Sequence, residues 1–167
     1  MTRVTTQDIG PEPRWLDEEQ QRAWRSFLLG TTLLLDRIDE DLRQDHGLSA
    51  VEYEILVRLS EAGGRLRMAR LASALAHSRS RVTHTVKRME ADGLVVRAEA
   101  TEDGRGVVCC LTDDGARMLT KAAPSHVDTV RKALIDLVEP DDLMALGRVM
   151  DAVCDELIRA HPERELR

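Results

Sequence analysis

Aromatic side chains are scarce: Trp15, Trp24, Phe27 and Tyr53 are the whole complement in 167 residues. So few rings exclude the stacking platforms on which single-stranded nucleic acid is held. No apolar run approaches the roughly 18 residues that a membrane span needs, and Met1 to Arg14 carries no apolar stretch of the kind a secretory leader uses. A cytoplasmic protein with no membrane partner is the expectation. Cysteine is sparse as well. Cys109 and Cys110 are neighbours in a β-like run, so their side chains point to opposite faces and a bond between them is disfavoured. Cys154 sits on the apolar side of a helical pattern and reads as a small buried hydrophobe. The histidines His46, His77, His84, His126 and His161 have no ligand spacing for a metal, so no metal and no other cofactor is expected. Gly-rich phosphate loop, nucleophile elbow and metalloprotease pattern are all missing, which argues against an enzyme.

What the chain does have is a charge asymmetry. Its net charge is −6, yet Arg65 to Glu90 holds seven cations (Arg65, Arg67, Arg70, Arg79, Arg81, Lys87 and Arg88) against the single acid Glu90. That block is +6 and the remainder −12. An acidic body with one basic surface repels a polyanion everywhere except at that surface, which points to double-stranded DNA as the partner.

Periodicity divides the chain. Residues 1–15 form an aperiodic arm with Gly10, Pro11 and Pro13. Apolar positions from Leu16 to Leu42 recur at helical spacing, and one long helix is expected to end before Gly47. Ser49-Ala50-Val51-Glu52 is a capping box opening the next helix, which stops at Gly63-Gly64. Met68 to Leu75 and Arg79 to Asp92 read as helix, turn, helix, closed by Gly93 and Leu94. The period then changes: Val95 to Glu99 and Val107 to Leu111 flank a Gly-containing turn and predict a hairpin. Thr112 caps a further helix that Pro124 is expected to kink or interrupt, with a second stretch through Val127, Val130, Leu134 and Leu137. Pro140 opens the last helix, whose apolar face runs from Leu143 to Ile158. The fold class is mainly α with a small β-hairpin wing.

In order and spacing, Leu66 to Ala72, Ser78 to Thr83, Met89 to Val95, Asp103 to Gly106 and Leu111 to Gly115 resemble the MarR-type winged-helix transcription factors. The resemblance covers roughly Leu16 to Ile158. One departure is Ala69-Arg70, where the family often has a small polar and an acidic residue; this weakens the cap of the third helix and makes the face more basic. The resemblance implies a homodimer built by an N-terminal helix over 16–48 and C-terminal helices over 112–160. A winged helix-turn-helix lobe over 49–111 would dock on each half of a pseudo-palindromic operator, most simply as a repressor. The residues agree, since the apolar faces of Leu16–Leu42 and Leu143–Ile158 exceed what a lobe of Ser49–Leu111 can cover.

The reading helix is then Arg79 to Glu90. With Val82, Val86 and Met89 facing inward, it presents Arg79, Ser80, Arg81, Thr83, His84, Lys87 and Arg88, preceded by Ser78 and the basic Arg65. Arg79 and Arg81 are the candidates for bidentate guanine contacts, and Lys87 and Arg88 for phosphates. Arg105 is placed to enter a narrow minor groove from the wing, and Asp103 resembles the family's acidic partner for it. Trp24, Phe27, Thr31, His46 and Tyr53 are the candidates for a pocket holding a small aromatic or phenolic effector, with core or dimer packing as the competing reading of the rings. Oxidation sensing through cysteine is a second reading of the regulation, although the first helix lacks the cysteine of the peroxide-sensing relatives. A winged-helix protein adaptor is a third, disfavoured because Arg65 to Arg88 offers guanidinium groups where an adaptor would place apolar anchors.

Overall fold

Asp17 starts the first helix by a reciprocal cap: its carboxylate accepts from the Gln20 amide at 2.8 Å, while the Gln20 side chain accepts from the Asp17 amide at 3.1 Å. The computed structural model describes residues 13–100 and 106–159, and its contacts divide the chain into units over 1–33 and 34–167. Helix α1, Glu18–His46, belongs to both. In the first unit Trp24 and Phe27 stack with ring centroids 5.9 Å apart, and Leu28, Leu29 and Leu33 stand exposed.

The second unit continues with α2 (Ala50–Glu61), β1 (Arg65–Arg67), α3 (Met68–Ala74), α4 (Arg79–Ala91), β2 (Val95–Glu99), β3 (Val107–Leu111), α5 (Asp113–Ala133), a 3-10 turn (Ile135–Leu137) and α6 (Pro140–Arg159). Its core gathers Leu42, Leu48, Ile55, Leu56, Leu59, Leu71, Val82, Val86, Met89, Val95 and Cys109. Helices α2, α3 and α4 therefore contribute their apolar stripes to one centre, the arrangement in which burial stabilises most per residue.

Local chemistry sets the boundaries. The Ser49 and Glu52 capping box forms as the spacing predicts. Helix α3 starts at Arg67 with no side-chain cap, in line with the Ala69-Arg70 departure. The helix-turn-helix corner is tight: Ala76 adopts a left-handed φ of 52°, and the amides of Ala76 and His77 return to the carbonyls of Ser73 and Ala72. An alanine there costs about 1 kcal/mol of backbone strain. At the far end of α4, Gly93 (φ 73°) and Leu94 close the helix through bonds to Glu90 and Met89, the two-bond pattern of a left-handed cap.

The predicted hairpin forms with an added strand, and one expectation is corrected. The hairpin is the larger part of a three-stranded antiparallel sheet ordered β1-β3-β2, in which Arg65, Leu66 and Arg67 face Cys110, Cys109 and Val108. Strand β1 escapes a sequence reading because three residues without a β-branched side chain carry no period. Pro124 does not interrupt α5, which runs unbroken over 21 residues. Its fixed φ suits a helix, and its ring lies exposed, so the lost backbone bond is the main cost. The break falls instead at Leu134 (φ −141°, ψ −62°), and Leu134 and Leu137 lie outside α5.

The junction between the sheet and α5 is the tightest contact. The Thr112 hydroxyl sits 2.7 Å from the Gly93 carbonyl oxygen and 2.9 Å from that of Leu94, and it accepts from the Gly115 amide at 3.0 Å. A Cβ on Gly115 would stand 2.1 Å from the Leu94 carbonyl oxygen. Backbone on backbone leaves nothing flexible to yield. Gly115→Ala is expected to lower stability by about 3 kcal/mol, the upper part of the range for overpacking, as read by urea denaturation. A loss within measurement error would mean that α5 can shift without cost.

Candidate nucleic-acid interface

Helix α4 is two-faced. Val82, Thr85, Val86 and Met89 are buried, while Arg79, Ser80, Arg81, Thr83, His84, Lys87 and Arg88 are exposed. The Ser78 hydroxyl, a predicted contact, is the N-cap and accepts from the Arg81 amide at 3.3 Å. The first turn of α4 therefore presents amide groups and the positive end of the helix dipole beside Arg79 and Arg81. Thr83 donates its hydroxyl proton to the Arg79 carbonyl at 2.8 Å, which leaves its oxygen as an acceptor. Among the described residues, Arg79, Arg81 and Lys87 have no carboxylate partner.

A groove of about 310 Å³ borders this face, lined by Arg67, Met68, Ala69, Arg79, Thr83, Gly106 and Val107. It joins the start of α3, the first half of α4 and the base of the wing. Arg65 lies exposed on β1, the outer strand of the same sheet. Asp103 and Arg105 fall outside the described residues.

Arg88 is placed differently from its neighbours. Its Nε and Nη2 donate to Glu52 Oε1 at 3.1 and 2.7 Å, and Glu52 is buried. Burial acts to raise the Glu52 carboxyl, but bonds from the Ser49 amide and hydroxyl and from the Arg88 guanidinium outweigh it and hold the group below the ordinary carboxylate range. A second carboxylate, Glu90, accepts from the side chain and amide of Arg97 on β2 and is likewise held low, first by that side-chain bond. The one acid of the basic block is thus tied to β2. Neither pair is visible in the sequence, because nothing marks which distant residue a carboxylate will meet.

The residues proposed for an effector pocket separate into the two units. Trp24 and Phe27 are stacked and half-exposed in the first, where Thr31 is partly buried. In the second, His46 Nε2 is 2.7 Å from the Ser125 hydroxyl, and Tyr53 lies buried with its ring 4.4 Å from that of His126. Burial pushes the Tyr53 hydroxyl up and the His126 imidazole down, so both are held neutral. Sequence reasoning missed Ser125 and His126, whose α5 positions become relevant only once α5 packs on α2.

The cysteines behave unequally. Cys109 is fully buried, and burial pushes its thiol up to about 12. Cys110 is half-buried, and Cys154 is exposed, a correction to its expected burial: the apolar face of α6 has no buried residue in this chain. A thiol near 12 is not ionised at neutral pH and is a poor oxidant sensor. With iodoacetamide at pH 8, Cys109 is expected to react only after unfolding, read by peptide mass mapping; prompt labelling of Cys109 in the folded protein would contradict its burial.

No described helix is long and apolar enough to cross a membrane. A family model described as the MarR family matches residues 46–106. The crystal structure of Sco3205 from Streptomyces coelicolor, a MarR family transcriptional regulator in complex with DNA, is 43% identical, with a TM-score of 0.85 over 87% of this chain and 92% of that one. AbsC, a MarR family transcriptional regulator from the same organism, is 42% identical, with a TM-score of 0.83 over 87% of this chain and 98% of that one. The transcriptional regulator PecS of Dickeya dadantii is 29% identical over 71% of this chain and 74% of its own. The chain belongs to the MarR family of DNA-binding transcriptional regulators.

Proposed function

We propose that the chain is a homodimeric repressor that reads a pseudo-palindromic operator, inserting α4 into the major groove and the wing into the adjacent minor groove. The observation that carries this reading is the exposed face of α4, where Arg79 and Arg81 stand beside a capped helix N-terminus and Lys87 follows further along, over a fully buried apolar stripe. Arg79 and Arg81 read base edges, Thr83 and His84 complete the surface, and Ser78, Ser80, Lys87 and Arg65 approach the backbone. Arg105 and Asp103 keep the wing roles that the family resemblance implies.

Two apolar surfaces favour the dimer. Helix α6 exposes Met144, Val149, Val153 and Leu157, and α1 exposes Leu28, Leu29 and Leu33. A helix with no buried side chain is marginal alone, so a second copy is the economical cover for 16–48 and 112–160. Sedimentation is expected to give twice the chain mass of 18.7 kDa, and Val153→Asp to shift it towards one; a wild-type monomer would end the dimer model.

On a duplex selected by the full chain from a random-sequence pool, Arg81→Ala is expected to cost about 1–3 kcal/mol and to relax base preference. Arg105→Ala is expected to lower the salt dependence by about one phosphate contact. Undiminished binding by Arg81→Ala would remove α4 as the reading helix. Release by a small aromatic or phenolic anion is part of the same proposal: such a ligand acts by preferring one spacing of the two reading helices. Its support is the family resemblance together with the neutral Tyr53 and His126 pair beside His46. A thermal-shift screen of aromatic acids that finds no binder would count against it.

A further inference from the structure

We propose that Glu52 is a positioning residue for base reading, acting through Arg88 to fix the rotation of α4 on the N-terminus of α2, and that Arg88 serves as a strut and not as a phosphate contact. This rests on the assignment of α4 as the reading helix. Each oxygen of the buried Glu52 carboxylate has two donors: Oε1 takes Nε and Nη2 of Arg88, and Oε2 takes the amide and hydroxyl of Ser49 at 2.8 and 2.7 Å. The start of α2 is itself held, since the Ala50 amide donates to Asp39 Oδ1 of α1 at 2.7 Å, and Asp39 Oδ2 takes Arg43 Nε at 2.5 Å. A continuous run of charge-assisted bonds thus reaches from α1 through the first turn of α2 to α4.

The apolar contacts of α4 decide which face turns inward but, being non-directional, set its rotation less finely than a directional bond does. A guanidinium bound through two nitrogens to one oxygen is directional. If Arg88 swung to a phosphate, it would strand a buried carboxylate with half its donors, a cost that an exposed phosphate contact does not repay. Hydrogen bonds to base edges tolerate only a few tenths of an ångström, whereas phosphate attraction tolerates far more. Loosening the strut should therefore injure recognition of the chosen sequence more than attraction to DNA in general.

The test uses the full chain, the selected duplex and a scrambled duplex of equal length and composition, each titrated over salt. Glu52→Gln keeps the volume and removes the charge. It is expected to bind the selected duplex about tenfold more weakly, the scrambled duplex within about twofold of wild type, and with an unchanged salt slope. Arg88→Gln is expected to do the same, and the double variant to be no worse than the poorer single one, as coupled residues behave. The proposal fails if Arg88→Gln weakens both duplexes and lowers the salt slope by about 1, the signature of a phosphate contact. It also fails if Glu52→Gln weakens both equally in step with a smaller folded fraction, or if neither variant changes binding. Should Glu52→Gln not fold, Arg88→Gln decides by the same outcomes, since Glu52 then keeps both Ser49 bonds. Arg81→Ala is run in parallel: if it also binds normally, the reading-helix assignment falls, whereas a loss at Arg81 without one at Glu52 or Arg88 removes the strut alone.

Discussion

The whole interface depends on the burial of one stripe of α4. Val82, Val86 and Met89 have no solvent exposure, and at about 2 kcal/mol for each such side chain their burial stabilises the helix by roughly 6 kcal/mol. Opposing this is the mutual repulsion of the cations on the other face. Two exposed like charges about 10 Å apart in water repel by about 0.4 kcal/mol before salt screens them. The apolar term wins by a wide margin, which is why a lobe can keep several guanidinium groups on one short helix and still fold. The exposed cations and the stabilising stripe occupy opposite sides of the same thirteen residues.

The rest of the lobe fixes where that helix points. The left-handed cap at Gly93 turns the chain into β2, and Thr112 and Gly115 bring the start of α5 onto the Leu94 carbonyl. Arg97 on β2 reaches back to Glu90 near the end of α4, so helix and wing are tied by a side chain as well as by the connecting turn. Strand β1 then joins the start of α3 to the sheet through its register with β3. Groove, α4 and wing base are in this way parts of one frame.

Much of this was legible in the sequence, and the illegible parts share a cause. The caps at Ser49, Thr112 and Gly93 are local, decided by residues within four positions, and form as their spacing predicts, while the Ser78 cap is equally local but reads in the sequence only as a contact. The inward face of α4 is equally local, set by the helical period. By contrast, Glu52 reads as half of a capping box, and nothing near it announces a second partner 36 residues away. Strand β1 exists only because β3 lies beside it. Ser125 and His126 matter only because α5 lies against α2. Cys154 follows the same rule in reverse: its apolar neighbours suggest burial, but burial needs a covering surface that this chain does not supply to α6.

The basic block is subtler than its total. Summed along the sequence it carries +6, yet two of its members are engaged with residues outside it, Arg88 with Glu52 and Glu90 with Arg97. The exchange leaves the sum unchanged and alters the distribution. The acid is tied off against β2, a cation is withdrawn towards α2, and Arg79, Arg81 and Lys87 remain on the exposed face of α4 without a carboxylate partner among the described residues. With a screening length of about 8 Å at physiological salt, a duplex responds to charge within that reach and hardly at all to the acidic remainder of the chain. A net charge of −6 is therefore compatible with a locally positive surface, because the acidic remainder is screened from a polyanion that meets the basic face.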